Sequence, residues 1–226
     1  MKILAIECTH QIACVAVKNG NEIIERLNGE WKKTAEVIVP LVMQVMSDAG
    51  LRPAELDGVA VSSGPGSFTA LRIGMSVAKG IAWGVGCPLV PVSTLSAMAG
   101  AASGRTGAGY LMPVVPSRPG EYFYAIYRRP DGPCLPEELD SGRCMAEDLS
   151  GRLCSFSDDV AIPVRDPAAF ASCAPGLVPL VLDAAFFTAG SLFAMAEKSM
   201  GKGVAAHPAE ASPDYRQIFV PLQKKP

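Results

Sequence analysis

The sequence predicts an α/β fold with mixed sheets. The first observation is a run of three strand-like segments at the amino terminus, residues 3–6, 12–17 and 22–27. Asn19-Gly20, a dipeptide typical of tight hairpin turns, separates the last two, so three antiparallel strands are expected. The second observation is that helical and strand-like segments then alternate along the chain, as crossovers between parallel strands require.

The remaining elements follow from periodicity and end signals. Residues 34–48 predict a helix that Gly50 closes, and residues 58–62 predict a strand that leads into a glycine-containing turn. A second helix is expected over 69–83, a strand over 89–92, and a third helix that begins after Ser93 or Thr94. Farther along, the pattern favours strands at 110–115, 121–128 and 159–164 and helices at 146–153 and 183–200.

A small, polar, glycine-rich stretch divides the chain. Residues 103–109, SGRTGAG, are typical of a linker and predict a boundary between two subdomains. We expect an N-terminal subdomain over 1–103, a smaller and divergent C-terminal subdomain over 110–211, and a C-terminal tail over 212–226.

Composition narrows the class of protein. The chain has 226 residues, of which 49% are hydrophobic and 19% charged, as in a globular protein. Its formal net charge of −2 gives no overall attraction for polyanions, so contact with nucleic acid would need a local patch or a partner. Seven cysteines without a C-x-x-C pair are typical of a reducing cytoplasm and are expected to be small buried hydrophobes. The uncharged segment 80–104 contains prolines and glycines and does not predict a membrane span.

The stretch SSGPGSFTALRIG, residues 62–74, joins a predicted strand to a helix. Backbone N–H groups and the positive end of a helix dipole converge there, so Gly64, Gly66 and Ser67 are candidates for contact with an anion. The stretch lacks the lysine of a phosphate-binding P-loop, however. The alternative is a tight turn that only positions the helix, and both alternatives remain open.

Two helices carry features that suggest a contact with another polypeptide. The second contains three glycines, each costing about 1 kcal/mol in a helix interior, and a ridge of small residues that allows close helix packing. Apolar residues of the first spread over about 240° of its circumference, more than one core-facing stripe needs. Either this helix is buried within the chain or its surplus face meets a partner. The candidate interface residues are Val37, Val39, Leu41, Met43, Met46, Ala70, Gly74, Ala78 and Ala82.

The sequence offers little catalytic apparatus. His10 and His207 are the two histidines, and G-x-S-x-G, H-E-x-x-H and paired-cysteine motifs are all absent from the sequence. We therefore assign no catalytic, cofactor-binding or metal-binding residue.

Three segments together resemble the TsaB (YeaZ) family: ILAIECTHQIACVAV, GPGSFTALRIG and PVSTLSAMA. The resemblance is dense over residues 1–100 and sparse over 130–200. It implies an actin-like ATPase fold, ribonuclease-H-like in topology, with two subdomains. It also implies a non-catalytic subunit of the cytoplasmic machinery that makes threonylcarbamoyladenosine at position 37 of tRNA.

The resemblance further implies partners. Members of the family pair with a TsaD-type transferase, recruit a TsaE-type ATPase and form homodimers when alone, through the two helices described above. ATP and metal are then expected on the partner subunits, tRNA is met through the complex, and no membrane is involved. Where relatives carry Asp-Thr after the first strand, this chain has Glu7-Cys8. The alternatives to a non-catalytic subunit are an active ATP-dependent phosphotransferase on the same fold and a peptidase.

Overall fold

The computed structural model describes residues 1–10, 12–29, 33–132, 134–154, 156 and 159–215. Within them the chain is an α/β structure with two mixed sheets, which confirms the predicted class. The strands are β1 Lys2–Glu7, β2 Ala13–Asn19, β3 Glu22–Asn28, β4 Gly58–Gly64, β5 Leu89–Ser93, β6 Tyr110–Leu111, β7 Val114–Arg118, β8 Glu121–Arg128, β9 Glu137–Met145, β10 Val160–Val164 and β11 Val181–Asp183. The helices are α1 Thr34–Asp48, α2 Phe68–Val85, α3 Thr94–Ser103, α4 Leu149–Leu153, α5 Pro167–Cys173 and α6 Phe193–Gly201.

The first sheet has the strand order β3-β2-β1-β4-β5. β1, β2 and β3 are antiparallel neighbours, as the hairpin signal predicted. β4 runs parallel to β1 and β5 runs parallel to β4, with α1 and α2 as the crossovers. The carboxyl ends of β1, β4 and β5 therefore lie at one edge of the sheet.

The second sheet is built around β8 and β10. β8 pairs antiparallel with β6, β7 and β9, and β10 pairs parallel with β6 and β11. β8 alternates strictly: Tyr122, Tyr124 and Ile126 face one hydrophobic cluster and the intervening residues face another. This strand is therefore buried on both faces.

Helices cover both sheets in layers. α1 and α2 pack on one face of the first sheet, whereas α3, α6 and a short 3-10 helix, Ala189–Leu192, fill the space between the two sheets. α4 and α5 cover the outer face of the second sheet. The core between the sheets is continuous, because Ile3 of β1 and Phe123 of β8 belong to the same cluster.

Several predicted elements need correction. β9, α5 and β11 were not predicted, and the helix expected over 183–200 is only α6, Phe193–Gly201, preceded by the 3-10 turn. The reason lies at Asp183, whose carboxylate accepts a hydrogen bond from the backbone of Ala185, and at Thr188, whose backbone is extended. Both features hold the chain out of helical geometry until residue 189.

The subdomain boundaries remain a prediction. Residues 189–206 follow the second sheet in sequence but pack on the first, where Ala206 forms an isolated bridge with Leu89 of β5. Of the predicted tail, 212–226, residues from 216 onward lie outside the described residues.

Two expectations about composition can be compared with the structure. Cys8, Cys14 and Cys87 are buried as expected, whereas Cys134, Cys154 and Cys173 are exposed. The expectation of buried cysteines is therefore wrong for these three. No helix among the described residues has both the length and the apolar character that crossing a bilayer requires.

Candidate partner face and cleft

The ridge of small residues on α2 faces the chain's own sheet. Ala70, Gly74, Ala78 and Ala82 are all buried. At Gly74 a Cβ atom would lie 2.7 Å from the Sγ atom of Cys8, and Cys8 Sγ donates a 3.2 Å hydrogen bond to the carbonyl of Ala70. The expected placement of these four residues at a partner surface is therefore corrected: they allow α2 to approach β1 and β4.

The predicted residues of α1 divide between its two faces. Leu41 and Met46 are buried against the sheet, and Val37 is half-buried. Val39 and Met43, one helical turn apart, are 46% and 68% exposed. The surplus apolar face that the periodicity predicted therefore exists, and these two side chains form its outermost part. Its role as an interface stays a prediction.

A groove runs between α1 and α2 on the outer side of this layer. It has a volume of about 280 Å³, and Val42, Met46, Ile81 and Val85 contribute to its walls. Gly80 and Gly84 also line it, and a Cβ atom added at either would meet no atom within 4 Å. Trp83, which lies between them in sequence, is 65% exposed. Packing within the described residues therefore gives no reason for glycine at these two helical positions.

The three candidates for anion contact lie in the turn before α2. Gly64 has a φ of 122°, and a Cβ there would collide with the carbonyl oxygen of Asp214. A Cβ at Gly66 would lie 2.6 Å from the Cβ of Thr9. The N–H of Ser67 donates to the Thr9 carbonyl at 2.9 Å. These groups make contacts within the chain, which favours the alternative of a structural turn, while anion binding stays an untested prediction.

A buried carboxylate lies beside this turn. Glu7, at the end of β1, is 0% exposed and accepts hydrogen bonds from the backbone N–H and the hydroxyl of Thr9 and from the hydroxyl of Ser62. Its Oε1 atom also lies 3.0 Å from Nη1 of Arg165. Both carboxylate oxygens are thus occupied by groups of the same chain.

A cleft of about 380 Å³ opens next to this network, between the two sheets. Thr9, His10 and Ser67 line it from the first sheet, and Val115 and Phe123 line it from the second. Burial, with a smaller contribution from the charge of Arg165, lowers the pKa of His10, so this imidazole is neutral near pH 7.

Cys8 and His207 are held by contacts within the chain. Burial raises the pKa of Cys8 to about 12, which makes it a poor nucleophile. His207 lies edge-on against Trp83, with ring centroids 5.5 Å apart. Among the described residues, no three His, Cys, Asp or Glu side chains form a group that could hold a metal ion.

Sequence reasoning missed two residues that the structure makes prominent. Arg165 is 158 positions from Glu7, and no local pattern connects them. Trp83 could have been identified from the sequence, because it lies beside Gly84 on a helix with excess small residues and aromatic residues are frequent at binding surfaces.

Comparisons with known proteins agree with this architecture. Residues 31–129 match the model of the TsaD family, tRNA N6-adenosine threonylcarbamoyltransferase. YeaZ from Pseudomonas aeruginosa shares the fold, with a TM-score of 0.79 over 95% of this chain and 99% of that one, at 21% identity. The fold is the actin-like ATPase, ribonuclease-H-like fold, as the resemblance implied.

Sequence relatives identify the family. The tRNA threonylcarbamoyladenosine biosynthesis protein TsaB of Escherichia coli is 33% identical over 129 residues, which are 57% of this chain and 56% of that protein. An uncharacterized protein of Mycobacterium bovis is 30% identical over 152 residues, 64% of this chain and 70% of the relative. The chain spans just over half the length of the TsaB relatives that it matches. With this sequence identity and the shared fold, the chain belongs to the TsaB (YeaZ) family.

Proposed function

We propose that this chain is a non-catalytic scaffold subunit in the synthesis of threonylcarbamoyladenosine at position 37 of tRNA. In this role it pairs with a TsaD-type transferase, holds that subunit in its active conformation and recruits a TsaE-type ATPase in the cytoplasm. When alone, it pairs with a second copy through the same face. The name of the E. coli relative supports the process, and the geometry of α1 and α2 supports the pairing.

Similarity to the transferase supports a paired arrangement. The family match to the transferase covers residues 31–129, which contain both α1 and α2. Two subunits that share a fold can pair around an approximate two-fold axis, with the same helices facing each other. A face that serves a related subunit would also serve a second copy of this chain.

The observation that carries the proposal is the bare outer side of α2. Gly80 and Gly84 cost stability in the helix, and no described atom of the chain lies near enough to compensate for it. Their lack of side chains would allow a partner helix to approach closely, next to the exposed Val39, Met43 and Trp83. Stable interfaces bury about 1,200 to 2,000 Å², and α1 and α2 together can supply a large part of that area.

The state of Glu7 supports the non-catalytic part of the proposal. A carboxylate that acts on a substrate or holds a metal ion needs a free oxygen aimed into the cleft. Both oxygens of Glu7 instead accept hydrogen bonds from Thr9, Ser62 and Arg165. This arrangement disfavours the alternative of an active phosphotransferase.

The test is co-purification with the TsaD-type subunit of the same source cell. We expect wild-type chain to retain that subunit and Met43→Glu to lose it, because a buried unpaired carboxylate is costly in an apolar interface. A loss of at least about 2 kcal/mol, or about thirtyfold in affinity, is the size expected at an interface centre. Recruitment is tested by adding the TsaE-type ATPase to the pair and to each subunit alone.

The control is Val178→Glu, which introduces the same residue at an apolar position that is 45% exposed and lies on the side of the second sheet, away from α1 and α2. It should leave co-purification intact. Equal retention of the transferase by Met43→Glu and wild-type chain would count against the proposed face.

A further inference from the structure

A buried ion pair joins the two sheets. Glu7 ends β1 of the first sheet and is fully buried, whereas Arg165 follows β10 of the second sheet and its side chain is 9% exposed. Burying ionised groups is costly unless each has an opposite charge and hydrogen-bond partners. Separating the sheets at this point would strip Glu7 of its only described counter-charge.

We infer that Glu7 and Arg165 form a latch that holds the two sheets together beside the cleft and fixes the start of α2. In many two-lobed proteins, a ligand brings the lobes together. Here the chain supplies its own cation, so the two sheets are joined at this point without a ligand. This inference concerns the isolated chain and does not depend on the proposed partner.

Arg165 is held from three sides. Its Nη1 atom lies 3.0 Å from Glu7 Oε1 and 3.0 Å from Thr9 Oγ1. The guanidinium carbon lies 5.0 Å from the centre of the Phe187 ring, which covers its other side. An arginine with this geometry is attracted by both the carboxylate and the ring face.

Thr9 connects the latch to α2. Its N–H and hydroxyl donate to Glu7, and its carbonyl accepts the N–H of Ser67, the residue before the helix. Gly66 packs so closely on Thr9 that even a methyl group would not fit between them. A shift of Thr9 after loss of the ion pair must therefore displace the first turn of α2.

Hydrogen–deuterium exchange of the full chain tests the latch. In Arg165→Met, which keeps part of the apolar stem of the side chain but removes its charge, we expect the amides of Ser67 and Leu71 to exchange at least tenfold faster. Both are hydrogen-bonded in this turn, to the carbonyls of Thr9 and Ser67. Glu7→Gln should have a similar effect, because it leaves Arg165 without its carboxylate. The double variant should exchange more slowly than either single variant, because neither charge is then left unpaired.

Two further variants separate the latch from a general loss of stability. Lys18→Met breaks another ion pair, Lys18–Glu197, which links β2 to α6 away from the cleft. In this variant the amides of Ser67 and Leu71 should exchange as in wild-type chain. Arg165→Lys keeps the positive charge and an ammonium group that donates hydrogen bonds, so its exchange at Ser67 and Leu71 should stay within threefold of wild type. If Arg165→Met does not fold, Glu7→Gln carries the test. Unchanged exchange of the Ser67 and Leu71 amides in the charge-removing variants, or the same acceleration in Lys18→Met, overturns the latch.

Discussion

Two sets of glycines on α2 have opposite surroundings. Gly74 faces inward, where an added Cβ would lie 2.7 Å from Cys8 Sγ. Gly80 and Gly84 face outward, where an added Cβ would meet no atom within 4 Å. Glycine therefore allows close packing in the chain's own core at position 74, whereas no contact among the described residues requires glycine at positions 80 and 84.

This difference shows how a helix can combine two packing surfaces. The inner surface, Ala70, Gly74, Ala78 and Ala82, brings α2 close to the sheet and is satisfied by the fold. The outer surface, with Gly80, Trp83 and Gly84, is not covered by other residues in the described part of the chain. A partner is a physical explanation for the outer surface, and none is needed for the inner one.

The largest effect is expected from filling the inner surface. Gly74→Leu places four carbons where Cys8 and Val61 already lie, so we expect the free energy of unfolding to fall by about 3 kcal/mol, the upper end for overpacking. Urea denaturation measures this change. Cys8→Ala in the same chain should recover part of the loss, because it removes the nearest colliding atom. Wild-type stability in Gly74→Leu would mean that the helix lies farther from the sheet.

A smaller effect of opposite sign is expected on the outer surface. Gly80→Ala and Gly84→Ala should each raise the free energy of unfolding of the isolated chain by about 1 kcal/mol, because alanine is the better helix former and has room. Each should also weaken binding to the TsaD-type subunit, by about tenfold if the added methyl costs about 1.4 kcal/mol.

Denaturation of these variants measures the expected gain in stability, and titration calorimetry with the TsaD-type subunit measures the expected loss of affinity. Ser76→Ala, at another exposed position of α2, is the control for helix propensity alone. A gain in stability with unchanged affinity would leave the bare glycines unexplained and would remove the main support for the proposed face.

The sequence predicted the elements whose signals are local. α1 begins and ends where its end signals placed it. β8 occupies 121–128 as expected, since an uninterrupted run of aromatic and apolar residues, YFYAIY, between turns has few alternatives. β9 was missed because it is an edge strand, rich in charged residues and mostly exposed, without the alternation that marks a buried strand. Charged edge strands of this kind protect a sheet from aggregation but give no apolar signal.

The candidate site was only partly predictable for a similar reason. Val39 and Met43 could be found from periodicity, because the excess of apolar residues on α1 is a local property. Which side of α2 faces the sheet depends on contacts between Gly74 and Cys8, which lie far apart in sequence. Periodicity identified the ridge of small residues but did not tell whether it faces inward or outward.

The smallest effects are expected from a change of pH. They compare the cleft at the start of α2 with the groove between α1 and α2. His10 lines the cleft at the start of α2, and burial lowers its pKa from the ordinary 6.5. Glu55 lies two residues after Pro53, which lines the groove. Hydrogen bonds from the Arg52 backbone and from Lys2 lower the pKa of Glu55 to about 2. Both folded-state pKa values are depressed, so in each case the unfolded chain binds the proton more readily.

The contribution of each group to the free energy of unfolding is therefore present above the pKa that the group has in the unfolded chain. It is lost as the pH falls from there through the folded-state pKa. For His10, wild-type chain should lose stability relative to His10→Gln as the pH falls from 7 to 5, whereas Glu55→Gln should behave like wild type there. For Glu55, the loss relative to Glu55→Gln should begin only below about pH 4.5 and should weaken with added salt, because this pair is exposed. Unfolding curves at each pH measure both. A flat difference between wild type and His10→Gln down to pH 5 would mean that the imidazole is as well solvated in the folded chain as in the unfolded one, contrary to its burial at the cleft.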